Sequence, residues 1–295
     1  MMKNSLRVAS IKGEVIIFDD TIQAEPPLIV EAGLEGLSDF SKSLPTAADS
    51  CIYCGSVSNR TREHVVPYAL GGTVTIPKGS CSSCQNITQG FERSVLRGPM
   101  KMARYIQGLP SRKGYANTAK TIAWKVTIDG RNQSIDVPIE ESPVLLAFPL
   151  FEEPTFLSDV ESGLKVKGIA TVNFGIEPRA FADRVGATQI QFTSGDHSPV
   201  AFAQMIAKIA YTNAYINGQI CRLKDPKPLV DAMLYKPDGI GGFVGTASGP
   251  YVRRCGVSHY IGLHEVQDRP VLFSTVQLFA ASGAPTYLVV LGELR

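Results

Sequence analysis

The sequence has no apolar run long enough to cross a bilayer. The longest, Val144 to Phe151, is interrupted by Pro149 and falls well short of the roughly 20 residues a spanning helix needs. The opening stretch MMKNSLRVASIKGEV lacks the apolar segment of a secretory leader, so a soluble, cytoplasmic chain with no membrane partner is expected. Charged residues are only 19% of the chain and apolar residues 44%, which excludes a disordered polyelectrolyte and supplies a sizeable core. Internal repeats and low-complexity tails are absent. The glycine-rich run GIGGFVGTASG (239–249) lacks the spacing and the lysine of a phosphate-binding P-loop. It reads as a mobile or ligand-contacting loop.

What is present concentrates in one stretch. Four of the six cysteines form two C-x-x-C pairs, Cys51/Cys54 and Cys81/Cys84, with 26 residues between them. In a reducing compartment such pairs read as metal ligands rather than disulfides, and four thiolates can close a tetrahedral zinc site. Cys221 and Cys255 stand alone and read as buried packing. A plain zinc ribbon does not need 26 intervening residues; a site carried on a hairpin between the knuckles does. Charge follows the same stretch. Residues 51–113 carry 9 basic and 2 acidic side chains, net +7, whereas 1–50 carry net −4 and 114–295 net −1. The positive excess sits where a polyanion would dock.

The order C-x-x-C, E-H-V-V-P with a following A-L-G-G, then C-x-x-C opening a helix, resembles the zinc-stapled branch of the HNH endonucleases over roughly residues 48 to 110. The resemblance implies a ββα-metal fold: two strands and a helix around one catalytic divalent ion. By position it makes His64 the general base that activates water and Glu63 a ligand of the catalytic ion. The family often places Asn or His directly after the last cysteine as a second ligand; here Gln85 stands there and Asn86 follows, so both are tentative ligands. The family's middle Asn has no clear counterpart, Thr73 and Thr75 being the nearest polar residues.

The chemistry stands beside the resemblance. Phosphodiester hydrolysis needs a hydroxide-like nucleophile, a cation at phosphorus and help for the leaving oxygen. A neutral imidazole titrates near working pH and can take a proton from water. On an extended chain Glu63 and His64 point to opposite faces, so one can hold a metal while the other faces water. Oxygen ligands suit magnesium or manganese and the cysteines suit zinc, so a structural zinc and a catalytic Mg²⁺ or Mn²⁺ are both expected. Glu92 and Thr88 read as fixing the helix onto the hairpin, with Glu92 a reserve ligand.

Along the chain, 6–19 reads as one or two strands with Gly13 as turn or bulge, and a Ser/Ala-rich linker ends at Cys51. Residues 1–47 are expected to add a strand segment to the larger domain. In the module spanning 48–113, Val65-Val66-Pro67 reads as a short strand, Gly71-Gly72 as a tight return, and a helix runs from near Gln85 to Arg97. A second short helix follows Pro99. Arg93, Arg97, Lys101, Arg104, Arg112 and Lys113 form a basic stripe suited to nucleic acid. Residues 114–295 alternate as strands around one principal helix, Pro199 to Asn217, capped by Ser198 and ended by Gly218. Its residues Phe202, Met205, Ile206, Ile209, Ala210 and Ile216 give a core-facing stripe. The fold class is α+β: a small zinc-stapled ββα-metal module and a larger antiparallel-sheet domain with one principal helix.

Outside the cysteine-rich stretch no nucleophile and base cluster. Asp196-His197 reads as loop and cap chemistry, and His259 and His264 are five apart, too far round a strand to share a metal. The leading expectation is therefore an HNH-type endonuclease acting on nucleic acid, DNA foremost. Its C-terminal region would select substrate, dock a protein partner or sense a small-molecule trigger. The alternative is a catalytically silent zinc module that binds nucleic acid or protein.

Overall fold

A computed structural model describes residues 7–10, 14–18, 47–112, 114, 120–157, 163–193, 197–249, 252–266 and 269–295. Lys113, Asp196 and most of the linker before Cys51 lie outside the described residues. The chain opens with β1 (Arg7–Ser10) and β2 (Glu14–Phe18), an antiparallel pair. Next come β3 (Arg60–His64), β4 (Thr75–Cys81), α1 (Ser82–Arg97) and α2 (Lys101–Ile106). The Asp129-Gly130 turn then joins β5 (Thr121–Ile128) to β6 (Arg131–Pro138), both residues having positive φ as a tight hairpin requires. A further hairpin pairs β7 (Leu145–Phe151) with β8 (Val166–Asn173), and α3 (Pro178–Val185) leads into β9 (Gln189–Thr193).

The principal helix, α4, spans Pro199–Ile216. Ser198 caps it by accepting from the Ala201 N–H at 3.2 Å, and Pro199 occupies the first turn, where a missing N–H costs nothing. After it come α5 (Lys227–Leu234), β10 (Val244–Thr246), β11 (His259–Glu265), β12 (Val271–Leu278) and β13 (Thr286–Glu293). The larger sheets are five-stranded, ordered β1-β2-β9-β5-β6, and four-stranded, ordered β10-β13-β12-β11. Antiparallel sheets with a few helices make an α+β fold. Among the described residues no helix is long and apolar enough to cross a membrane.

The glycine-rich run 239–249 is not a free loop. It holds a 3-10 turn and β10, with Ile240, Gly241 and Val244 buried. Cys221 and Cys255 also differ from expectation: both are exposed, on connections rather than in the core.

The core explains how the site is held. The expected apolar stripe of α4 becomes burial on every face, from Ala201 through Ala214, the pattern of a helix enclosed on all sides. It packs against α1 on one side and against β12 and β13 on the other. Phe202, Met205, Ile206 and Ile209 are all at most 5% exposed, each contributing about 1.5–3 kcal/mol of burial. One apolar cluster runs from Ile52, Leu70, Phe91 and Val95 through α4 to Tyr287 and Val289, crossing the expected boundary at 113/114. A second, smaller cluster gathers Trp124, Val126, Phe181 and Ile190 under α3. There the Trp124 indole donates to Ser142 Oγ at 2.6 Å.

Candidate functional site

The two knuckles converge. The sulfurs of Cys51, Cys54, Cys81 and Cys84 all lie within 4.8 Å of one another, and Cys54 Sγ is 3.6 Å from Cys81 Sγ. Four thiolates at Zn–S distances of about 2.3 Å stand roughly 3.8 Å apart, so the group can hold a metal such as zinc. The local chain explains the convergence. The Gly55 N–H turns back onto the Cys51 carbonyl at 2.8 Å with φ at +74°, closing the first knuckle. Cys81 ends β4 and caps α1, which places Cys84 in the first helical turn. Burial alone raises the Cys81 thiol, but the Cys84 backbone N–H and the neighbouring sulfurs bring it down to about 7. Burial pushes Cys84 the other way, and the Tyr235 hydroxyl lies 3.4 Å from its sulfur.

Between the knuckles β3 and β4 pair antiparallel, Arg60 opposite Cys81 and His64 opposite Thr75, with a bulge between Thr61 and Glu63. The strand ends at His64. Val65-Val66-Pro67, expected as a strand, instead bends into a 3-10 turn at Tyr68–Leu70, because Pro67 has no N–H to continue a ladder. The Gly71-Gly72 return is tight: a Cβ on Gly72 would lie 1.9 Å from the Val66 carbonyl oxygen. A Cβ on Gly79, in the bulge, would meet the Glu63 Cβ at 2.9 Å. Both glycines let the backbone close over the Glu63-His64 pair.

Period two on a strand would turn Glu63 and His64 to opposite faces, yet both line one cleft of about 680 Å³ that residues of the hairpin and α1 share. Glu63 is buried, and its Oε1 lies 2.8 Å from Lys208 Nζ. Lys208 comes from the middle of α4. Its ammonium also lies 3.1 Å from Glu92 Oε1 and donates to the His64 carbonyl. Burial raises the Glu92 carboxyl above its ordinary range, with Lys208 opposing. His64 is half-buried, its Nδ1 has no hydrogen-bond partner among the described residues, and Tyr68 is its ring neighbour at 6.0 Å. Burial, then the Lys208 charge, depress its imidazole below the usual range and keep it neutral.

The other expected residues divide. Gln85 lines the cleft; Asn86 is exposed and is not part of the lining. Arg93, Arg97, Lys101 and Arg112 line it from α1, α2 and the loop beyond. Arg104 also lines it, but with its guanidinium engaged. It is 5% exposed and spends its guanidinium on three carbonyls, Ala69 at 2.6 Å, Leu96 at 2.7 Å and Pro110 at 2.9 Å, clamping the module internally. His264 pairs with Thr275, and His259 with the backbone.

Sequence reasoning missed Lys208 and its neighbours on α4. Tyr211 donates to the Ile52 carbonyl at 2.7 Å and Thr212 to the Val65 carbonyl at 3.3 Å. A lysine flanked by Ala207 and Ile209 in an apolar helix is the available signal. Its partners, more than a hundred residues back, were not legible. The chain matches no protein-family model, and comparison with curated proteins and with solved structures finds no similar one.

Proposed function

We propose that this chain is a metal-dependent endonuclease of the HNH type, hydrolysing phosphodiester bonds in nucleic acid, DNA foremost, with His64 as general base. The observation that carries the reading is the company His64 keeps. A neutral imidazole lines a cleft whose α1 side presents Arg93, Arg97 and Arg112 to a polyanion. The donor set suits a hard cation, since Glu63 and Glu92 bring two carboxylates against one ammonium and Gln85 adds an amide oxygen. Magnesium or manganese held by Glu63 and Gln85 would supply charge neutralisation at phosphorus.

The rest of the work falls to the chain. His64 accepts a proton from the attacking water, the arginines orient the phosphates on either side, and zinc at the four cysteines staples the knuckles. A reducing cytoplasm, where those thiols persist, is the setting the reading requires. The region beyond residue 113 would select substrate or answer a protein partner or small-molecule trigger. One observation favours a second reading, a silent zinc module that binds nucleic acid: Glu63 is already engaged by Lys208.

Plasmid cleavage with Mg²⁺ or Mn²⁺ tests both. Wild type should cut, and His64→Ala, with zinc retained, should lose about 100-fold or more. Undiminished cleavage by the variant removes His64 from the mechanism. No cleavage by zinc-loaded wild type, with plasmid still bound, supports the silent module.

A further inference from the structure

Lys208 has a side chain with no exposure at all, in the middle of a helix whose other residues from Ala201 to Ala214 are buried and mostly apolar. An ammonium has three N–H donors; this one donates to the His64 carbonyl and lies at ion-pair distance from Glu63 Oε1 and Glu92 Oε1, the latter with no hydrogen-bond partner among the described residues. Burial works against the charge, but the two carboxylates outweigh it, and the lysine stays protonated. One ammonium nevertheless faces two carboxylates, and both carboxylates line the cleft. Behind them the Tyr53 hydroxyl is buried, feels both acids, and has no hydrogen-bond partner among the described residues. One ammonium is thus shared among three neighbouring oxygens, while Glu92 Oε1 and the Tyr53 hydroxyl carry no hydrogen bond among the described residues.

We propose that Lys208 is a built-in cation that reserves the inner side of the Glu63–Glu92 pair, limiting to one the net negative charge that pair offers a divalent ion in the cleft. The inference rests on the proposed ion site in one respect, that the pair faces the cleft where the ion would sit. Lys208 is then a positioning residue. It holds Glu63 on β3 against Glu92 on α1, fixes the backbone at His64, and keeps the pair from becoming a closed two-carboxylate cage. Removing its charge should convert a weak, open cation site into a strong one.

The test is calorimetric titration of Mn²⁺ into the full-length, zinc-loaded protein, with zinc content checked before and after. Lys208→Met should bind Mn²⁺ about tenfold or more tightly than wild type, because a nearby positive charge has gone. Adding Glu63→Gln in the same background should abolish the gain. Lys208→Gln, which keeps an N–H donor while dropping the charge, should show the same gain and serves if the methionine variant fails to retain zinc. Folded variants that bind Mn²⁺ no more tightly than wild type overturn the proposal. The ion site of the endonuclease reading is judged separately, by Glu63→Gln in the wild-type background. If that change leaves Mn²⁺ affinity untouched while the Lys208 variants gain a Glu63-dependent site, the reading falls and the role of Lys208 stands. If it weakens Mn²⁺ binding while the Lys208 variants gain nothing, only the Lys208 proposal falls.

Discussion

His259, on β11, meets the carbonyl of Leu70, in the turn after β3, at 2.7 Å across 189 residues of chain. The other ring nitrogen is spoken for as well: Nδ1 accepts the Phe279 N–H at 3.1 Å. A backbone N–H can only donate, so Nδ1 carries no proton, and Nε2 must be the donor to Leu70. The imidazole is therefore neutral, in one tautomer, and joins the C-terminal sheet to the cysteine-bearing hairpin.

Burial depresses the His259 pKa from its usual 6.5. A depressed histidine binds fewer protons folded than unfolded, so its contribution is present above about pH 6.5 and lost as pH falls toward the folded value. Thermal melts between pH 7.5 and 5 should show the wild type losing stability on the acid side. His259→Gln should start about 1 kcal/mol lower at pH 7.5 but fall less steeply. Parallel slopes for the two proteins would show that His259 is not the group responsible.

Two kinds of arginine are distinguishable by experiment. Arg104→Met strips donors from three carbonyls around a buried guanidinium and should cost about 3 kcal/mol or more in urea unfolding. Arg93→Ala and Arg97→Ala should leave the melt within about 0.5 kcal/mol. They should instead weaken DNA binding and lower the slope of log K against log salt by about 1 each. A stability loss from either exposed arginine that matches Arg104→Met would contradict this division.

Gly72→Ala places a methyl into the Val66 carbonyl, and Gly79→Ala presses one onto Glu63. Overpacking of this kind costs about 1–3 kcal/mol, with Gly72 at the upper end because backbone cannot rotate away. Denaturant midpoints for the two variants check the order; a neutral Gly72→Ala would mean that the hairpin return yields to a methyl group without cost.

Chelation should act on the knuckles first. Removing metal from the four cysteines with a strong chelator, or replacing Cys84 by Ser, should lower the melting temperature and free thiols for colorimetric titration. The loss should be on the order of several kcal/mol, as for other structural thiolate sites. An unchanged melt, with all six thiols already titratable before chelation, would argue that the knuckle cysteines hold nothing.

Local signals were legible and distant ones were not. The knuckle cysteines, the Asp129-Gly130 hairpin and the Ser198-Pro199 start of α4 each rest on residues within a turn of one another, and each appears where the pattern predicts. Proline and glycine punctuate 224–250 as they do a loop, yet burial of Leu229, Val230 and Met233 accompanies a helix there, α5. Arg104 looked like part of an exposed stripe by spacing from Lys101. Nothing in the sequence says that Ala69, Leu96 and Pro110 turn their carbonyls toward it. At the site itself, His64 and Glu63 could be singled out, but not the lysine that holds Glu63, because their meeting is decided by tertiary packing alone.

The burial of α4 on all sides also orders events in time. During synthesis the two knuckles emerge before α4, and their cysteines could take up metal by local chelation. The acceptor at His64 must wait for a lysine 144 residues further along the chain, and the hairpin lacks its floor until that helix arrives. A nascent chain carrying the cysteine-rich stretch alone therefore has the four cysteines without the finished cleft, and the cleft is completed only once α4 has followed.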